Sequence, residues 1–260
     1  KRQIIVPSGR SLNEYTLKIL KDWVSQGGTL IAHNSSTRSL ASDKGIGNVK
    51  QLQNTFENSK EYNFDLMREI YALDNDINKD MTNENNVNFE LSYPWEEIEG
   101  FLSKNELKDR DKWQSIFMPS GSFVAGRIDN EHWLTFGTTE TIPVLYSNYP
   151  ILMTRSNSDA PVRIGNMIPN NEIDVPRVVN WSSIPAGFDL NVRMSGLVWP
   201  EASQRIANSA YLTRERVGNG QVILFSGEPN FRGATLGTNR LWLNAIVYGP
   251  GLGTRSKIDL

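Results

Sequence analysis

Cysteine is absent from the 260 residues, and histidine occurs twice, at His33 and His132. The first absence excludes disulfides, thiolate metal sites, iron–sulfur clusters and every mechanism with a cysteine nucleophile. The second leaves zinc or iron sites built on several imidazoles short of ligands. An excess of charge of one sign is also lacking: 27 Lys and Arg against 29 Asp and Glu give −2, so no polybasic surface draws nucleic acid or anionic lipid. No run approaches the roughly 20 apolar residues that span a bilayer, and the first residues lack the apolar segment of a signal peptide. The Walker phosphate loop, the dinucleotide fingerprint and the Gly-x-Ser-x-Gly elbow are missing as well. What remains is 38% hydrophobic residues with 10% aromatics, enough for one sizeable core.

The first forty residues hold the clearest pattern. Ile4, Ile5 and Val6 form an apolar run ended by Pro7-Ser8-Gly9, which reads as a buried strand. A strand so close to Lys1 leads to the expectation of a piece cut from a longer polypeptide. Ser11 with Glu14 three residues later is a capping-box signature. The helix that follows is expected to bury Leu12, Tyr15, Ile19, Leu20, Trp23 and Val24 and to stop at Gly27-Gly28. Residues 29–32 (TLIA) are then a second short strand. Strand, helix and strand in about thirty residues is a βαβ unit with parallel strands. In such sheets ligands sit beyond the carboxyl ends of the strands, which directs attention to Ser8 and Gly9 and to His33, Asn34, Ser35 and Ser36.

Between Glu57 and Lys112 stand fifteen acidic and seven basic side chains, a local net charge of −8. Leu66, Ile70, Leu73 and Ile77 keep a helical stripe, residues 83–88 interrupt it, and residues 96–99 resume it. The reading is a single domain over 1–260 that carries a helical acidic insertion at 48–113. That insertion is either a solvated surface excursion or a docking surface for a basic partner. From Trp113 onward the pattern turns β-rich, with short runs at 116–118, 123–125, 142–146 and 151–153, and a further one suggested by Val192, Met194, Leu197 and Val198. The chain closes in α/β fashion, with a strand at 221–226 after the Gly218-Asn219-Gly220 turn and a helix at about 239–248 that turns Leu241, Trp242, Ala245 and Ile246 inward.

His33 lies just past a parallel strand beside two serines, where an α/β enzyme commonly keeps a nucleophile. A serine hydrolase would need Ser35 or Ser36 within hydrogen-bond reach of His33 or His132, with a third group such as the acid Glu228 close by; the alternative is a polar loop that satisfies strand-end backbone groups. Gly45-Ile46-Gly47 lacks the third glycine of a nucleotide cradle and reads as a loop. His132 reads as a turn leading into a strand, and no zinc spacing surrounds it. The loop 228–233 (EPNFRG) follows a strand and precedes the last helix, so Asn230 and Arg232 are placed at the same crevice, with Arg232 able either to clamp a carboxylate or to tie its own loop. A small-ligand binding module using Ser8, Gly9, His33, Asn34, Asn230 and Arg232 is thus a further option. Trp133, Trp181, Trp199 and Trp242 read as core and loop anchors.

Residues 20–32 (LKDWVSQGGTLIA), 131–137 (EHWLTFG) and 220–233 (GQVILFSGEPNFRG), with 195–201 (SGLVWPE) and 238–241 (TNRL), resemble the C-terminal region of bacterial zinc carboxypeptidase family proteins. That region looks like a class I glutamine amidotransferase-like domain. The resemblance implies a three-layer, flavodoxin-like α/β sheet and a secreted or periplasmic setting. It also implies an upstream peptidase domain in the same polypeptide as partner, and a peptide or cell-wall ligand. Two activities come with it, and neither finds its residues. The zinc pattern, a histidine with a glutamate three residues on, meets Ser36 after His33 and Thr135 after His132. The amidotransferase cysteine falls at His33 or Asn34. The expectation is therefore a domain that kept the fold and lost the chemistry, with no catalytic residue, metal or cofactor.

Overall fold

Two short strands near the start of the chain, β1 (Gln3–Val6) and β2 (Thr29–His33), run parallel with Gln3 opposite Thr29, joined through helix α1 (Glu14–Ser25). They belong to a computed structural model that describes residues 2–9, 11–58, 62, 103–155, 157–180 and 182–254. The start of α1 corrects the expected cap. Asn13, not Ser11, is the N-cap, its side chain accepting from the Thr16 N–H at 2.8 Å. The buried face is Leu17, Leu20 and Val24, while Tyr15 is 74% and Ile19 50% exposed. Tyr15 and Ile19 each lie two residues from Leu17, a rotation of about 200° on a helix, so burying Leu17 turns both outward. Gly27, at φ 117°, follows the helix as expected.

A short helix α2 (Ser35–Leu40) follows β2 directly. Then come β3 (Lys50–Gln51), α3 (Leu52–Thr55) and a 3-10 turn at Phe56–Asn58. Leu66, Ile70, Leu73, Ile77 and residues 83–99 lie outside the described residues, as does Trp181. The described ends of the acidic segment are tied to the core. Val49, Leu52, Phe56 and Tyr62 are buried, and β3 pairs with β6 (Leu152–Met153). Helix α4 (Lys104–Ser115) opens with a complete Ser103/Glu106 capping box. A buried ion pair of 2.8 Å from Arg205 Nε to Asp111 Oδ1 joins it to α5 (Pro200–Ile206). Because α4 runs on to Ser115, residues 116–118 are not the expected strand; they leave the helix as a turn.

The central sheet is mixed. On the far side of β2, in parallel register with His33 opposite Phe225, lies β14 (Gly220–Phe225). Every further neighbour is antiparallel: β13 (Ala210–Val217), β7 (Ser158–Ile164) and β4 (Ser122–Ile128), with β5 (Thr141–Tyr146) and β12 (Arg193–Ser195) both on β4. Two small antiparallel pairs complete the strands, β8 (Asn166–Pro169) with β11 (Phe188–Asn191) and β9 (Arg177–Val179) with β10 (Ser182–Ile184). β1 is at the edge, which leaves Ile5 40% exposed instead of buried.

Alternation along the strands divides the core between two faces. Leu30, Ala32, Val222 and Leu224 pack with Leu17, Leu20 and Val24 of α1; Ile31, Ile223 and Phe225 pack on the other side with Leu241 and Ala245 of helix α6 (Leu236–Tyr248). Each such fully buried side chain contributes about 1.5–3 kcal/mol. The architecture is thus α/β with helices on both faces. Among the described residues, no helix is long and apolar enough to cross a membrane.

Candidate functional site

Where β2 ends, the backbone makes a turn that L-residues rarely adopt. Asn34, between β2 and α2, has φ 50° and ψ −121°. A strained residue on a sharp strand-to-helix turn is the local arrangement that presents a nucleophile above an α/β sheet. The turn is held from three directions: the Asn34 N–H donates to the Phe225 carbonyl at 3.2 Å, its own carbonyl accepts from Thr37 N–H at 3.1 Å, and the Thr37 hydroxyl donates to Phe225 O at 2.9 Å. The Asn34 side chain makes no helix cap and instead donates from Nδ2 to Glu228 Oε1 at 2.9 Å.

The neighbouring hydroxyls and imidazole are all engaged. Ser35 Oγ accepts from Gly9 N–H at 2.7 Å and lies 3.1 Å from Ser8 Oγ and from the Gly9 carbonyl. Ser36 is buried and donates to the Pro7 carbonyl. His33 Nε2 accepts from the Ser8 N–H at 3.4 Å, which leaves the proton of the neutral ring on Nδ1. Among the described residues that buried Nδ1 has no hydrogen-bond partner, and the ring stands edge-on to Trp242 at 5.3 Å. Burial holds the imidazole below its ordinary 6.5, with the Glu228 carboxylate pulling the other way. Among the described residues the hydrogen-bond contact of His33 is the Ser8 N–H and not a serine hydroxyl.

Glu228 is the hub of the crevice. Beside it stands Tyr149, its phenol raised by burial first and by the Glu228 carboxylate second, with a hydrogen bond from the Glu228 backbone acting in the opposite sense. Gly227 makes this approach possible, because a Cβ there would meet the Tyr149 ring at 2.7 Å. Ser8, Gly9, His33, Asn34 and Ser35 are thus brought together as expected, with Glu228, Tyr149 and Trp242 added. Asn230 and Arg232 lie further along the exposed loop. Arg232, at φ 50°, packs its guanidinium over the Phe231 ring at 5.2 Å, and neither side chain bonds to the cluster.

His132 is elsewhere. It caps a 3-10 turn at Trp133–Thr135, where a strand was expected, and lies 3.5 Å from Asp159, itself bonded to Arg214. Arg214 also reaches Gln221, at the opposite end of β14 from Phe225. Just past Gly45–Gly47 the Asn48 and Val49 N–H groups do cradle an anion, but that anion is Glu215 of the same chain. Among the described residues no group of three His, Asp or Glu could hold a metal ion. A second concave feature, an open groove of about 420 Å³ between residues 116–122 and 196–199, exposes Trp199. No family model matches the chain, and neither does any curated protein.

Proposed function

We propose that this chain is a noncatalytic, amidotransferase-like domain with a flavodoxin-like sheet, which serves as accessory to a zinc carboxypeptidase-like protein. The single observation that carries the reading is the residue on the strained turn. Asn34 is, with His33, one of the two positions where the resemblance puts a cysteine, and neither an imidazole nor a carboxamide held by Glu228 can form the thioester of glutamine hydrolysis. Two of the family-like segments support it further by meeting at this crevice. The 20–32 segment supplies the strand under His33, the 220–233 segment supplies Phe225 and Glu228, and the 131–137 segment is tied to α6 by Asn244, whose Nδ2 donates to the Leu134 and Phe136 carbonyls at 2.9 and 2.8 Å. In this role the crevice holds peptide or cell-wall material, or packs against the peptidase domain, in a secreted or periplasmic setting.

The test is turnover by the purified chain of glutamine, peptides and activated esters, together with labelling by a fluorophosphonate. The expected result is neither turnover nor label. Hydrolysis that disappears in His33→Ala or Ser35→Ala, or a label on one serine, would overturn the reading in favour of a serine hydrolase.

A further inference from the structure

We propose that Asn34 is a self-modifying site, which closes on the Ser35 nitrogen as a cyclic imide and opens to aspartyl or isoaspartyl. The inference is independent of what the crevice binds. It rests on a stereochemical coincidence between the turn and the reaction. In an L-residue Cβ is offset from the backbone nitrogen by about 120° around the Cα–C bond, so a ψ of −121° eclipses the Asn34 Cβ with the nitrogen of Ser35. A five-membered imide needs that eclipsed arrangement. Ordinary asparagines must leave a favoured basin to reach it, whereas here the fold holds it through the Asn34 N–H on Phe225 and the Asn34 carbonyl on Thr37.

The other participants are also in place. Ser35 opens α2, so its N–H has no intrahelical acceptor, and among the described residues it donates to no other group. Its side chain is small and unbranched. Asn34 is half-buried, so water reaches the turn, and the Nδ2 bond to Glu228 keeps the carboxamide from rotating freely.

In the first step the Ser35 nitrogen bonds to Asn34 Cγ, the Cγ–Nδ2 bond breaks, and the Ser35 proton passes through water to the departing ammonia. Water then adds across one of the two imide carbonyls, its hydroxyl to carbon and its proton to the released nitrogen. No other reactant is needed. The product places a second carboxylate against Glu228 where a donor stood before, so the pair must take up a proton or move apart. The crevice thereby changes from an amide-capped carboxylate to an acidic pair.

The experiment compares the folded 260-residue chain with the same chain unfolded in urea, both kept at neutral pH in ¹⁸O-labelled water. Trypsin then releases residues 22–38, which contain a single asparagine, Asn34. Folding ordinarily protects asparagine. Here conversion at position 34, read as ¹⁸O uptake or as the ammonia-loss mass of the imide, is expected to be about tenfold faster in the folded chain than in urea. Asn219, which precedes Gly220, reports in the unfolded sample that the chemistry is running. A folded-state rate at Asn34 equal to or below the unfolded rate overturns the proposal.

Discussion

Glu215 offers a perturbation whose size follows from named contacts. Its carboxylate, on β13 and 3% exposed, accepts from the Asn48 N–H at 2.7 and 2.9 Å, from Asn48 Nδ2 at 2.6 Å and from the Val49 N–H at 3.1 Å. Gly47, at φ 86°, lets the loop wrap so closely that a Cβ there would meet Oε2 at 2.4 Å. Charge-assisted hydrogen bonds contribute about 1.5–3 kcal/mol each, and a buried donor left unsatisfied costs about 1–3 kcal/mol. In Glu215→Ala the exposed Asn48 groups turn to water, while the buried Val49 N–H does not. The expected loss is therefore about 3–5 kcal/mol, a large part of a total stability of about 5–15 kcal/mol. With a urea slope of about 1–3 kcal/mol/M, the midpoint falls by at least about 1 M. Glu215→Gln keeps the volume but turns an N–H toward N–H groups, and should lose more than half as much. A glutamine variant that unfolds at the wild-type midpoint would refute the claim that an anion organises this loop.

Two further outcomes follow from the crevice. Because burial depresses the His33 imidazole below 6.5, the unfolded chain binds more protons there than the folded one as the pH falls; stability from the neutral ring is fully present above that value and is lost below it. Urea midpoints measured from about pH 8 down to about pH 5 should decline less steeply in His33→Gln than in the wild type, and parallel profiles would contradict the burial account. Gly227→Ala drives a methyl into the Tyr149 ring, so a loss of about 1–3 kcal/mol is expected together with a fall in the Tyr149 phenol pKa as it leaves Glu228. An unchanged tyrosine titration would show that the ring does not depend on the missing Cβ.

The parts of this fold visible in the sequence are those that local pattern controls. The two helices repeat apolar residues at the helical period, and the strands of the βαβ unit and the last strand are short apolar runs bounded by Gly, Pro and Ser. At the start of α1, Ser11-x-x-Glu14 and Asn13 offer competing caps within one turn, and it is the Asn13 side chain that accepts from the Thr16 N–H. Residues 116–118 read as a strand because a short apolar run has no period, and tertiary packing made it a helix exit beside the groove. In the site, Ser8, Gly9, His33, Asn34 and Ser35 were legible from topology alone, since both loops lie at the carboxyl ends of adjacent parallel strands. Glu228 was legible as an acid on the loop after the last strand, and Tyr149 not at all. Its place depends on Gly227 lacking a side chain nearly eighty positions away, a coincidence that no window along the chain can contain.

The position of β14 has a consequence for how the protein comes into being. β2 is flanked by β1, 26 residues before it in register, and by β14, whose Gln221 stands opposite the same Thr29 from 192 positions downstream. A ribosome releases the first pair early, yet the second flank of β2 stays open until β14, 192 positions later, emerges. Throughout that interval Leu30, Ile31 and Ala32 present unpaired amides and apolar side chains to every other nascent chain nearby. Closure over so long a loop is slow. Chaperone occupancy during synthesis is therefore expected to persist until β14 has left the exit tunnel.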